Sequence, residues 1–345
     1  MRHSFLHLAC VATLGALALS TVQAQQPQPA GTGVPAVSTL PVGGAVSMVT
    51  AGGINIAVQV GKNGIVLVDT PPEALVPQVL AEIRKLAPRP ALRYIVNTSM
   101  SADRVAGNAA LVGPPAGRGT GGAPFGFVGL GRPTIIAHEN VLNRMSNATP
   151  ALPAAMLPTT EYFQPSMDFY ANDEPIMVYH QPAAHTDGDS LVLFRKSDVI
   201  VTGNLFTPGR YPVIDVERGG TVLGLVKALG TVLSLAVPEA FENGGTQVIP
   251  GRGRVGEETD VAEFRDMVVI IKDRIVDAMT KKMTLDQIKA SRPSRDYDAE
   301  YSASQADADR LVESIYKTLP TPAPAPAARP AGRPAAAKPA AGGKK

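Results

Sequence analysis

Residues 97–108 read Asn97-Thr98-Ser99-Met100-Ser101-Ala102-Asp103-Arg104-Val105-Ala106-Gly107-Asn108, directly after the apolar run Leu92–Val96. Upstream, residues 72–86 carry Leu75, Val79, Leu80, Ile83 and Leu86 at a helical period, so the run at 92–96 closes a strand–helix–strand unit. Three strands are expected before that helix, at 45–50, 54–60 and 65–69. Gly52-Gly53 and Asn63-Gly64 mark the turns between them.

The second half repeats this arrangement. Strands are expected at 176–180, 191–194, 199–202 and Gln247–Ile249, with a helix over Val222–Leu235. The C-terminal part reads as helical. Asp260 and Glu263 are expected to cap a helix whose one face carries Val261, Phe264, Val268, Ile271, Ile275 and Met279. Thr284 and Gln287 suit the start of a second helix, and Leu311, Val312, Ile315 and Leu319 mark a third. Strands in two batches, each followed by helices, suit two packed sheets with helices outside.

The chain has 345 residues, 45% of them hydrophobic, with no Trp and 5% aromatics, so aliphatic side chains must fill the core. Residues 1–24 read as an export signal: Arg2 precedes an apolar run, and Val22-Gln23-Ala24 supplies small residues for cleavage after Ala24. The expected location is periplasmic or secreted. The only cysteine, Cys10, lies within that run, so the mature chain would form neither a disulfide nor a thiolate metal site. Residues 25–44 are expected to be a linker. Residues 319–345 are almost entirely Pro, Ala, Gly, Lys and Arg and are expected to be a disordered tail. The tail carries five positive charges. Setting these and Arg2 aside from the 32 basic residues leaves 26 against 30 acidic ones, a slightly acidic domain with no sign of a nucleic-acid partner. The tail is at most a weak contact to anionic envelope components. Gly117-Arg118-Gly119-Thr120-Gly121-Gly122, within the Gly-rich stretch 113–132, lacks the Lys-Ser/Thr of a phosphate loop and reads as a surface loop beside a pocket.

Five fragments, in order, resemble the metallo-β-lactamase superfamily over roughly residues 45–318, especially exported bacterial members with a C-terminal helical extension. They are Gly64-Ile65-Val66-Leu67-Val68-Asp69-Thr70, Ile135-Ile136-Ala137-His138-Glu139-Asn140, Pro182-Ala183-Ala184-His185-Thr186-Asp187-Gly188-Asp189-Ser190, Val201-Thr202-Gly203-Asn204-Leu205-Phe206 and Val248-Ile249-Pro250-Gly251-Arg252-Gly253. The frame of 97–108 belongs with them: the family's Asn-Thr-His-x-His-x-Asp-His-x-x-Gly-Asn has here become Ser99, Ser101 and Arg104 at its histidines. The resemblance implies an α/β fold, the four-layer αββα sandwich, in a domain over 45–257 with a helical extension over 258–318.

It also implies where zinc would bind and that the ligands are mostly gone. The first metal would use positions 99, 101 and 185, where the chain has Ser99, Ser101 and His185. The second would use 103, 104 and 252, where it has Asp103, Arg104 and Arg252; the bridging position is Asn204. Only Asp103 and His185 keep a ligand type. Zinc sites use three or four protein ligands, and a protonated guanidinium cannot ligate. The expectation is therefore no metal cofactor, with Arg104 or Arg252 paired to Asp103 in the former metal space.

The function expected is a non-catalytic pseudoenzyme that binds a small anion or a partner through Ser99, Ser101, Asp103, Arg104, His185, Asn204 and Arg252. Two arginines offer bidentate geometry to phosphate, carboxylate or sulfonate. The alternatives are a hydrolase working through an altered or mononuclear centre, with His185 and Asp103 as its candidate catalytic residues, and an envelope module acting through the basic tail. A serine nucleophile at 99 or 101 would need an adjacent base, and no Gly-x-Ser-x-Gly or Ser-x-x-Lys motif surrounds either. Asp69, His138 and His180 are read as structural, with Asp187 and Asp189 as supports for the His185 loop or parts of a turn.

Overall fold

The computed structural model describes residues 36–87, 91–113, 132–239, 244–302 and 304–320. The expected signal segment 1–24, nearly all of the Gly-rich loop and the tail beyond Pro320 lie outside the described residues.

Two sheets face each other. The first has seven strands in chain order: β1 (Val37–Gly43), β2 (Val46–Ala51), β3 (Ile54–Gly61), β4 (Gly64–Val68), β5 (Leu92–Val96), β6 (Thr134–His138) and β7 (Thr160–Tyr162). The second runs β12 (Gln247–Ile249), β11 (Val199–Val201), β10 (Asp189–Phe194), β9 (Glu174–Gln181), β8 (Ser166–Ala171). Strands β4 to β7 pair in parallel, as do β11 and β12, and the other pairs are antiparallel.

Alternation along each strand sorts its residues into layers. Ala57, Val66, Val68, Val96 and Ile136 from the first sheet meet Ile176, Val178, Val192, Phe194, Val199, Val201 and Ile249 from the second. Their neighbours Ile56, Val58, Ile65, Leu67 and Ile95 face outward onto Val76, Val79, Leu80 and Ile83 of α1 (Val76–Leu86). On the other side, Leu191, Leu193, Ile200 and Val248 pack under α5 (Val222–Leu235), α6 (Glu258–Thr280) and the last helix, α8 (Gln305–Thr318). The result is αββα. The inner strands of both sheets are buried on two faces, which explains why they read as continuous apolar runs.

Several boundaries differ from expectation. The linker assigned to 25–44 contains β1, whose pairing to β2 extends the sheet through Pro41. As an edge strand it can tolerate a residue that lacks an N–H. Strands β7 and β8 were not anticipated; β8 alternates exposed and half-buried residues and carries little apolar signal. The start of α6 is capped one turn earlier than expected: Asp260 Oδ2 accepts from the Glu257 backbone N–H at 3.0 Å. α7 (Leu285–Ser291) begins as expected, with reciprocal bonds between Thr284 and Gln287.

Candidate functional site: an arginine at the convergence of loops

The loops after β4, β5 and β6 in one sheet and after β9, β11 and β12 in the other meet at one end of the sandwich. The 97–108 stretch leaves β5 and forms two short helical turns, α2 (Ala102–Val105) and α3 (Asn108–Val112). The two asparagines that bound that stretch have a structural task. Asn97 and Asn108 exchange side-chain hydrogen bonds of 2.8 and 3.2 Å. Asn97 Nδ2 and the Thr70 N–H both donate to the Arg104 carbonyl, at 3.1 and 3.0 Å. These bonds fix the backbone that carries Ser99 through Arg104.

Arg104 is wholly buried and is among the largest fully buried side chains. Its Nη1 donates to Asp69 Oδ2 and to the Asn55 carbonyl, both at 3.3 Å. Its Nη2 donates to Asp103 Oδ2 at 3.1 Å and to the Gly251 carbonyl at 2.9 Å. Nε alone finds no partner. Gly251 makes room for this group, since a Cβ there would lie 2.8 Å from the guanidinium carbon. Arg252 reaches the same Asp103 Oδ2 at 3.0 Å but stays about a third exposed. Both arginines thus pair with Asp103.

The carboxylates respond differently. Burial pushes Asp69 up to about 6, against the pull of Arg104 and of two hydrogen bonds from Thr98. Burial acts in the same sense on Asp103, but Arg104 and Arg252 together outweigh it and hold the carboxyl below its ordinary value. Asp69 also has φ of 66°, a left-handed backbone that a non-glycine residue adopts at a cost, and it turns the chain out of β4.

His185 lies opposite and is nearly buried. Its Nδ1 is 2.7 Å from the Val213 carbonyl, which can only accept, so Nδ1 carries the proton. Burial lowers the affinity of the ring for a second proton, against the Val213 bond. Nε2 therefore presents a lone pair, 3.2 Å from Ser101 Oγ and 3.4 Å from Asn204 Nδ2. Ser99 is buried, whereas Ser101, Asp103, Asn204 and Arg252 are partly exposed.

The geometry brings all seven expected site residues to one place but divides them. Arg104 and Ser99 face no solvent. Ser101, Asp103, His185, Asn204 and Arg252 form the rim. Sequence reasoning missed Asn55 and Val213, which act through backbone carbonyls and leave no residue signature. It also missed the Asn97–Asn108 pair, although both residues stand in the quoted motif.

The other assignments fall around the rim. Asp189 accepts from the Thr186 N–H at 2.6 Å and hydroxyl at 3.0 Å, shaping the His185 loop, and burial raises it to about 7. Asp187 pairs with Arg144. His138 and His180 stack at 3.5 Å, and His138 Nδ1 accepts from the Asn140 N–H at the start of α4 (Glu139–Ser146).

These residues do not fit a zinc centre. A guanidinium fills the space between Asp69 and Asp103, and of the seven residues grouped here five are Ser, Arg or Asn. Among the described residues, no three His, Cys, Asp or Glu side chains are grouped to hold a metal.

No family model and no curated protein matches the sequence. Solved structures do match. A metallo-beta-lactamase from Pontibacter korlensis is 13% identical with a TM-score of 0.52, covering 68% of this chain and 99% of that one. The DIM-1 metallo-beta-lactamase is 17% identical with a TM-score of 0.51, covering 69% and 99%. The stereoselective inverting sec-alkylsulfatase Pisa1 from Pseudomonas sp. is 15% identical with a TM-score of 0.59; 81% of this chain aligns with half of that enzyme. With the layer order, the converging loops and these likenesses together, the chain has the metallo-β-lactamase fold, with an arginine at the centre of its loop cluster.

Proposed function

We propose that this protein is a metal-independent, non-metallohydrolase form of the metallo-β-lactamase fold that receives a small anion at the rim of the former active site. One observation carries the reading: the buried Arg104 guanidinium stands between the carboxylates of Asp69 and Asp103 and is held there by two backbone carbonyls. A fixed cation in that position does the electrostatic work of a divalent ion without its Lewis acidity. It neutralises Asp69, a carboxylate that would otherwise be costly to bury, and shares Asp103 with Arg252.

The anion-binding surface is smaller than the sequence suggested. Arg104 has no exposed surface, so Arg252 is the cation available to a ligand, with Ser101, His185 and Asn204 beside it. Arg252 has one hydrogen bond among the described residues, through Nη2 to Asp103, and its remaining donors suit a phosphate, carboxylate or sulfonate. Export to the periplasm is part of this proposal, and a mature chain beginning at Gln25 would support it.

Elemental analysis of the purified chain, with thermal melts before and after a chelator, tests the reading. The expected result is metal well below one equivalent and an unchanged melting temperature. A stoichiometric, chelator-sensitive zinc would overturn it. Titration with inorganic phosphate should show saturable binding that weakens by about tenfold or more in Arg252→Ala, as expected for a charge-assisted contact.

A further inference from the structure

We propose that Ser101 is an acyl-accepting nucleophile with His185 as its general base. The inference rests on the metal-free reading in one respect: Nε2 of His185 must be free to take a proton.

Three features of the geometry point the same way. First, Ser101 stands immediately before α2, where a serine ordinarily turns its hydroxyl back to cap the helix. Here its backbone has the extended conformation of a cap, φ −59° and ψ 139°, yet the side chain makes no cap bond. Oγ is instead directed at His185 Nε2, at 3.2 Å. A local rule broken at a partly exposed residue is what a functional site looks like. Second, the base is oriented. The Val213 carbonyl holds Nδ1–H at 2.7 Å, fixing the tautomer that leaves the Nε2 lone pair on Ser101. This is the logic of nucleophile, base and third group, with a backbone carbonyl as the third member. Third, donors for a developing oxyanion stand nearby: the Asn204 amide, 3.4 Å from the same Nε2, and the Arg252 guanidinium, attached to Asp103 two residues along from Ser101. Ser99 offers none of this. It is buried, and its Oγ accepts from the Ser101 N–H at 3.3 Å.

The substrate class is a small activated ester carrying an anionic group for Arg252. Ser101 Oγ attacks the carbonyl carbon while its proton passes to His185 Nε2. The new Oγ–C bond forms, the bond from that carbon to the leaving oxygen breaks, and the proton on Nε2 moves to that oxygen. The products are an acyl ester on Ser101 and a free alcohol, with His185 again neutral.

The test uses the full chain and an alkyl fluorophosphonate, which reports the same first step. Oγ–P forms, fluoride leaves, and the serine proton departs through His185. Intact mass and peptide mapping should find one adduct, on Ser101, in the folded chain and none in the urea-unfolded chain. Ser101→Ala should take no label, and His185→Gln should label at least about 100-fold more slowly, the usual share of a general base. No adduct, an adduct at another residue, or equal labelling of folded and unfolded chain would overturn the proposal, as would an undiminished rate in a folded His185→Gln variant. Zinc measured on the same sample separates the two readings. Stoichiometric metal would sink the metal-free reading, whereas metal-free protein unlabelled at Ser101 sinks only the nucleophile.

Discussion

The Arg104 centre and the His185 rim lie side by side on the same loops, and they are built on opposite plans. At the centre, four of the five guanidinium hydrogens have partners, two of them backbone carbonyls, one from β3 and one from the loop after β12, and the side chain has no exposed surface. Nothing there is free to react or to move. At the rim, Ser101, Asn204 and Arg252 are partly exposed, and the bonds to His185 Nε2 are long, at 3.2 and 3.4 Å. The comparison teaches that a guanidinium sealed between two carboxylates makes the middle of the loop cluster structural. The groups open to solvent stand at its edge.

The largest effect expected from breaking the centre is on stability. Arg104→Met would leave Asp69 in a dry site without its cation and Asp103 with Arg252 alone, and should cost about 3–5 kcal/mol in urea unfolding. Adding Asp69→Asn and Asp103→Asn should recover part of that loss. No recovery would mean that Arg104 contributes through packing and its carbonyl bonds rather than through charge.

Next is Gly251→Ala. Its Cβ would fall 2.8 Å from Arg104 Cζ and 2.5 Å from the Gly203 carbonyl oxygen. Overpacking of this kind costs about 1–3 kcal/mol. A neutral result would show that the arginine is less tightly seated than the geometry implies.

Arg252→Ala should separate the two regions. It removes a partly exposed pair worth at most about 1 kcal/mol to folding. The same change should weaken phosphate binding about tenfold or more by calorimetry. A large fall in stability with unchanged binding would reverse the roles assigned to the two arginines.

The smallest effect lies beyond the rim, in the stacked histidines. Burial first, and then His180, lower His138 to about 4. The unfolded chain takes up this proton near the ordinary histidine value while the folded one resists it. This group alone should therefore lower stability as pH drops from about 6.5 toward 4, by up to about 1.4 kcal/mol per pH unit, against the opposite trend from Asp69 and Asp189, whose raised carboxyls take up protons first in the folded chain. His138→Asn keeps a capping side chain for the Asn140 N–H and should remove that contribution from the slope of melts across this range. An unchanged slope would place the acid-sensitive group elsewhere.

Much of this architecture was legible along the chain. β5, α5 and β12 run over the residues expected, because each is a continuous apolar or helical-period segment bounded by polar residues. The edge strands were not. β1 contains a proline, and β8 is exposed along one side, so neither bears the mark of burial. At the site, the residues Ser99, Ser101, Asp103, Arg104, His185, Asn204 and Arg252 were all legible from the resemblance, and the structure groups them. The partners supplied by Asn55 and Val213 were not, because any residue can offer its carbonyl.

The order of residues alone determined that apolar strands arrive in two batches and that Ser99, Ser101, Arg104 and Arg252 fall in the stretches that follow β5 and β12. Only the tertiary structure decided that Arg104 is sealed while Arg252 is open, and that Ser101 forgoes its helix to meet His185. The reason is physical. Which arginine is buried, and which hydroxyl meets which ring, depends on loops from both sheets closing over one another, and sequence spacing carries no record of that approach.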